Sequence, residues 1–204
     1  MIHPDLKKSR PEDRRIRRTR AALTEALLSL MAERPYEAIT VQDVIDRADI
    51  GRSTFYAHFS DKDDLLDESL AVLRDIVDDA IAGRQPTLNR PLPFSEFLFH
   101  HVADLRPLVT ALLGTGASGA VMARLEGVLQ ETALAQLSAL VGPGRTPAVP
   151  LDLLARSAVA TCLACLRWWV ADGFTLAPAD LDAMFRKLTT PAVRAALAPD
   201  DRRQ

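Results

Sequence analysis

Between Leu23 and Met31 apolar side chains recur at threes and fours, with Leu23, Leu27 and Leu30 joined by Ala26 and Met31 on one face. That spacing predicts a helix over 13–33, closed by Arg34-Pro35 because a proline cannot continue it. The same period returns in Val41, Val44, Ile45 and Ala48, behind a Thr40-x-x-Asp43 pattern that reads as a capping box. Asp49-Ile50-Gly51 interrupts the pattern for only a few residues, and a further short helix is expected over 52–58. Two short helices joined by so tight a turn form a helix-turn-helix. Ser60-Asp61-Lys62-Asp63 marks another helix start, and Leu65, Leu66, Ser69, Leu70, Leu73, Ile76 and Val77 carry that helix over 62–82.

Beyond a breaker-rich loop from Gly83 to Pro93, helices are expected over 94–103, 105–114, 117–141, 151–173 and 178–197. Pro178 suits a first helical turn, whereas Pro191 should kink or split the last helix. Runs of alternating β-branched residues are missing, so the fold class is all-α. Leu154, Ala158, Thr161, Cys165 and Trp168 form one C-terminal stripe, and Leu181, Met184, Phe185 and Leu188 another. Both need apolar partners, inside the subunit or across an interface.

Charge changes the picture at one end. The chain of 204 residues carries a formal net charge of -2, yet residues 1–60 hold 11 basic against 9 acidic side chains. Lys7, Lys8, Arg10, Arg14, Arg15, Arg17, Arg18 and Arg20 cluster before and along the first helix. Such an arm suits a polyanion, and equally a solvated tail. No run of about 18 apolar residues suggests a membrane span, and the N-terminus does not resemble a signal peptide. A cytoplasmic protein with no membrane partner is expected. Its two cysteines suit a reducing compartment.

The chemistry concentrates in "GRSTFYAHFSDKDDLL", residues 51–66. On a helix, Phe55 and Phe59 lie four apart and can turn inward together, leaving Arg52, Ser53, Thr54, Tyr56 and His58 largely outward. Arg52 could fork onto a guanine edge, and Ser53 or Thr54 could meet a neighbouring base. Lys62 adds an ammonium at a helix start, where N–H groups favour an anion.

The longer stretch "TVQDVIDRADIGRSTFYAHFSDKDDLL" resembles the N-terminal signature of the TetR/AcrR family of transcriptional regulators, over about residues 17–66. The resemblance implies an N-terminal three-helix helix-turn-helix DNA-binding domain, residues 1–60, and a C-terminal helical dimerisation and effector domain, residues 61–204. It implies phosphate contacts from Thr40, Tyr56, His58 and Lys62, and positions near bases for Gln42, Arg52, Ser53 and Thr54. The implied partners are double-stranded DNA, a second copy of the chain through the last two helices, and a small-molecule effector. No cofactor and no metal are implied. The acids around Lys62 depart from many members, and Asp61 and Asp63 are expected to cap the helix rather than face DNA.

Phe94, Phe97, Phe99, Met122, Trp168, Trp169 and Phe174 could wall an effector pocket, with Phe97, His100, Met122 and Trp168 taken as its lining. Glu96, His100 and Asp104 fall on one helical face, which a solvated surface explains as well. Cys162-Leu-Ala-Cys165 is a C-x-x-C, so a helical thiol enzyme stands as a rival reading. Mid-helix, Ala-rich surroundings favour two small core residues instead. A third reading keeps the DNA module and replaces the effector by a protein partner.

Overall fold

The structure is a computed structural model, and it describes residues 11–113, 119–142 and 146–198. Lys7, Lys8 and Arg10 of the basic arm lie outside the described residues. Among the described residues nine helices follow one another: α1 (Pro11–Glu33), α2 (Val41–Ala48), α3 (Arg52–Tyr56), α4 (Lys62–Ile81), α5 (Phe94–Asp104), α6 (Arg106–Leu113), α7 (Gly119–Ser138), α8 (Leu151–Ala171) and α9 (Pro178–Leu197). A short 3-10 turn, Tyr36–Ala38, links α1 to α2. The all-α class is as expected.

Two apolar cores organise these helices. The first joins Leu23, Leu27, Leu30 and Met31 of α1 to Val44 and Ile45 of α2, to Phe55 and Phe59, and to Leu65 and Leu66 of α4. Burying each such side chain is worth about 1.5–3 kcal/mol, which is enough to hold short helices that would not form alone. This core runs past residue 60 and takes in Val121 of α7, with Leu108 and Leu112 of α6 packed against it. The second core centres on Trp169, Phe94, Phe99 and Phe185, where α7 lies along α8 and α9 packs on both α5 and α8. α8 is long and apolar enough to cross a membrane by composition, but its Leu154, Val159, Leu163 and Trp169 are spent on this core.

Local chemistry sets the element ends. The capping box is formed: Thr40 Oγ1 accepts from the Asp43 N–H at 3.2 Å, and Asp43 Oδ2 accepts from the Thr40 N–H at 2.7 Å. The left-handed residue of the helix-turn-helix is Asp49, at φ 52°, and Gly51 has an ordinary φ of -67°. An aspartate tolerates that conformation through its short polar side chain. α3 is shorter than the expected 52–58, although Phe55 O still accepts from the His58 and Phe59 N–H groups.

Pro191 does not split the last helix, since α9 continues from Pro178 to Leu197. Pro191 is exposed, so water can serve the carbonyl that loses its helical partner. Gly173, at φ 71°, follows α8 as expected. The 83–93 loop is pinned from below: Ser95 Oγ donates to buried Asp182 at 2.5 Å, Arg186 Nε reaches the other carboxylate oxygen at 2.9 Å, and Arg90 lies 3.8 Å from it.

Candidate nucleic-acid interface and internal cavity

Phe55 is fully buried and Phe59 nearly so, their ring centroids 6.0 Å apart, and this anchors α3 by its inner side. The outer side then presents Arg52, Ser53 and Tyr56 to solvent, with Thr54 and His58 half-buried. Tyr56 is 48% exposed, and the Arg52 guanidinium sits 5.6 Å from the centre of its ring. That contact restrains a long side chain whose free rotation would otherwise oppose base readout. Gln42 is also exposed, and its amide donates to Asp46 at 2.7 Å. Thr40 is exposed, with its hydroxyl engaged by Asp43.

The structure gives Lys62 a more particular setting than the sequence suggested. Its ammonium donates to Tyr36 O at 2.9 Å and Ile39 O at 2.7 Å, and lies 4.4 Å from the centre of the Tyr36 ring. Lys62 therefore clips the 3-10 turn that leads into α2. Among its acidic neighbours, Asp61 does cap α4, accepting from the Asp63 and Asp64 N–H groups at 2.8 Å. Asp63 does not cap. Its Oδ1 accepts from the Tyr36 hydroxyl at 3.0 Å and from Arg124 at 2.8 Å, and the Arg124 hydrogen bond holds its carboxyl below the usual range despite partial burial. Burial first, and Asp63 second, push the Tyr36 phenol upward.

Along α1 the side chains of Arg14, Arg15, Arg17 and Arg18 are exposed on the approach to this unit. Arg20 behaves differently: it pairs with Glu68 and covers the Phe59 ring at 5.4 Å. Arg20 is thus tied to the fold, while Arg14, Arg15, Arg17 and Arg18 are exposed.

An internal cavity of about 310 Å³ lies where α1, α4, α5, α6, α7 and α8 meet. Its walls are almost wholly hydrocarbon, with Thr24, Ser69 and His101 as the polar exceptions. Phe97, His100, Met122 and Trp168, the residues expected to line an effector pocket, lie outside this cavity. On α5 it is His101, stacked on Phe97 with centroids 5.5 Å apart, that turns inward, while His100 is exposed. Met122 is buried in the second core, and Trp168 is half-exposed on the outer side of α8. The aromatics pack on one another, as in Phe99 on Phe185 at 5.9 Å, and the space opens among aliphatic side chains instead. Thr24, Leu28 and Met31 of α1, absent from the expected set, come to this wall because α6 packs on α1.

The C-x-x-C lacks the setting of a redox pair. Cys162 is fully buried and Cys165 half-buried, and burial pushes both thiols up, away from the thiolate. Among the described residues no group of histidines, cysteines and carboxylates is placed to hold a metal ion.

Comparison with known proteins agrees with this geometry. Residues 23–69 match the family model described as bacterial regulatory proteins, tetR family. An uncharacterized HTH-type transcriptional regulator, YxbF of Bacillus subtilis strain 168, is 43% identical over 60 residues, a match covering 29% of this chain and 16% of that protein. A TetR transcriptional regulator from Streptococcus agalactiae 2603V superposes with a TM-score of 0.63 at 26% identity, over 87% of this chain and 97% of that one. A putative TetR-family regulator from Syntrophomonas wolfei strain Goettingen gives 0.71 at 20% identity, over 87% and 95%. RolR, in a complex with resorcinol, gives 0.58 at 21% identity, over 88% and 89%.

Proposed function

The chain belongs to the TetR family of transcriptional regulators, and from that premise we propose that it is a cytoplasmic, homodimeric repressor that releases a near-palindromic operator when a small molecule binds. The observation that carries the reading is the division of α3: Phe55 locked in the core, Arg52, Ser53 and Tyr56 outward. A short helix held rigidly by one side, with hydrogen-bonding heads on the other, suits entry into the major groove. Arg52 and Ser53 read base edges, with Gln42 and Thr54 beside them. Tyr56, His58, Thr40 and the α1 arginines hold phosphates. Residues 1–60 form the DNA-binding part and 61–204 the dimerisation and effector part.

Dimerisation is assigned to α8 and α9, whose outer sides expose Leu153, Trp168, Met184 and Leu188. Pairing these faces would set two α3 helices about one DNA turn apart, roughly 34–36 Å. The effector reading is supported over the protein-partner reading by the cavity, since a solid core would leave a small molecule nowhere to bind. The raised thiols argue against the enzyme reading.

α4 is the mechanical link. Its first turn holds the DNA-binding unit through Lys62 and Asp63, and further along it gives Leu66, Ser69, Leu70 and Leu73 to the cavity wall. A ligand bearing on that wall need contribute only a coupling of roughly 1–3 kcal/mol to change operator affinity. The test is a binding selection on genome fragments at fixed salt. Enrichment of one near-palindrome is expected, weakened without a change of preferred sequence in Tyr56→Phe, and the absence of any enriched site would refute the reading.

A further inference from the structure

We propose that the cavity takes an uncharged, largely hydrocarbon small molecule, and that this molecule touches the DNA-binding part directly through α1. The inference rests on the reading of the chain as a ligand-responsive regulator, and it names the ligand class and the contact.

The lining fixes the chemistry. Among the described residues of the wall there is no Lys, Arg, Asp or Glu, and His101 is its one titratable side chain. A carboxylate or ammonium buried there would lose its water and gain no counter-charge, which strongly disfavours an ionised ligand. An apolar surface removed from water meets no such penalty, because Leu28, Leu73 and Leu125 offer hydrocarbon from three different helices and Leu105 adds more from the turn between α5 and α6. The volume, about 310 Å³, stands at the small end of the range for ligand pockets. It corresponds to roughly ten waters by liquid volume, yet the wall supplies too few polar partners to hold a water cluster in order.

Two places can receive a hydroxyl or carbonyl. Ser69 Oγ donates to Leu65 O at 2.7 Å and lies 3.3 Å from Thr24 Oγ1, which makes a polar spot between α1 and α4. The His101 ring on α5 is the other.

The route and the readout share one wall. An open groove of about 780 Å³ runs along the outside between α1, α4 and α6, and Thr24, Leu28, Val72, Leu105 and Leu108 line both groove and cavity. α1 and α4 both wall the passage between them, α1 through Thr24 and Leu28 and α4 through Val72. These same helices bury Leu23, Leu27, Leu65 and Leu66 in the first core, beside Phe55 of α3. Displacement at Leu28 is therefore passed to the recognition helix through α1 as well as through α4.

The test uses the full chain and two dyes that share a frame and differ in charge, neutral N-phenyl-1-naphthylamine and its sulfonate, 8-anilinonaphthalene-1-sulfonate. Saturable fluorescence enhancement by the neutral dye is expected, with the sulfonate bound at least about tenfold more weakly. Leu28→Trp and Leu73→Phe, both at half-buried wall positions, should each weaken the neutral dye by about tenfold or more while keeping helical circular dichroism. His100→Ala, outside the wall, should leave it unchanged. Equal binding of the two dyes, or neutral-dye binding that survives both filling substitutions in folded protein, would overturn the proposal. The regulatory reading fails separately, if the wild type selects no DNA sequence, because dye binding is measured without DNA.

Discussion

Arg124 of α7 holds Asp63 in the first turn of α4, Nη1 to Oδ1 at 2.8 Å, on the same carboxylate oxygen that receives the Tyr36 hydroxyl at 3.0 Å. One carboxylate thus joins the turn before α2, the start of α4 and the helix α7. Arg124 also reaches Asp67 at 3.2 Å, and Val121 and Leu125, its neighbours along α7, line the cavity. A shift of α7 around a ligand would be felt at Tyr36 through this contact.

Arg124→Ala should therefore weaken the effect of any bound ligand on DNA affinity more than it weakens DNA binding itself. Its effect on stability should be modest, about 0.2–1 kcal/mol, because both charges are partly in water. The sign with pH follows from Asp63, whose folded-state carboxyl is lowered chiefly by Arg124. Its contribution is present above the unfolded value of roughly 4 and is lost as pH falls through the lowered one. Melting curves should separate wild type from variant at pH 7 and draw together near pH 3, and a gap that widened in acid would refute the assignment.

Arg52→Ala and Arg18→Ala should fail in different ways. Arg52 is exposed on α3, and removing a guanidinium that forks onto a base should cost about 1–3 kcal/mol and relax preference at that base pair. Arg18 is exposed on α1, and its loss should weaken all sequences alike and reduce the salt dependence by about 0.9 in log-log slope. Binding titrations over a salt series, on the selected site and on a scrambled one, separate the two behaviours.

Leu188 is 63% exposed and Met184 42% exposed on α9, and Trp168 is 49% exposed on α8. An apolar face of this kind is uncommon on a lone subunit. Leu188→Glu should convert a dimer to monomers in sedimentation, with melting little changed at high protein dilution, since the side chain has no core contact to lose. A monomeric wild type would remove the dimer from the proposal.

The fold was largely legible because each helix announces itself by a period and a boundary: Leu23, Leu27 and Leu30 on α1, the Thr40–Asp43 box, Phe55 and Phe59 on α3. Asp63 was not, since its partners Arg124 and Tyr36 are distant in the sequence and no local pattern pairs them. The walls of this cavity were hidden for a related reason. Aromatics such as Phe97 and Trp168 suggest a pocket by their size, whereas the space forms where aliphatic side chains from α1 and four or more other helices fail to meet, which only tertiary packing decides. His101 and His100 differ by one residue, and a one-residue change of phase moves a side chain from wall to solvent.

Lys62 separates two roles that a single substitution could confuse. Its ammonium makes two hydrogen bonds to the carbonyls of Tyr36 and Ile39, and hydrogen bonds from a charged donor contribute about 1.5–3 kcal/mol when their loss leaves acceptors unserved. Those carbonyls flank the turn that sets the position of Thr40 and the start of α2. Lys62→Met should lower the melting temperature by a few degrees, about 2–4 °C per kcal/mol for a chain of this size. It should also weaken operator binding, with the salt slope unchanged, because the loss comes through a displaced α2. A slope reduced by about 0.9 with unaltered melting would instead assign the ammonium directly to a phosphate. Tyr56→Phe is the internal control, since that hydroxyl stands on the exposed side of α3 and its removal should leave melting untouched while weakening DNA binding.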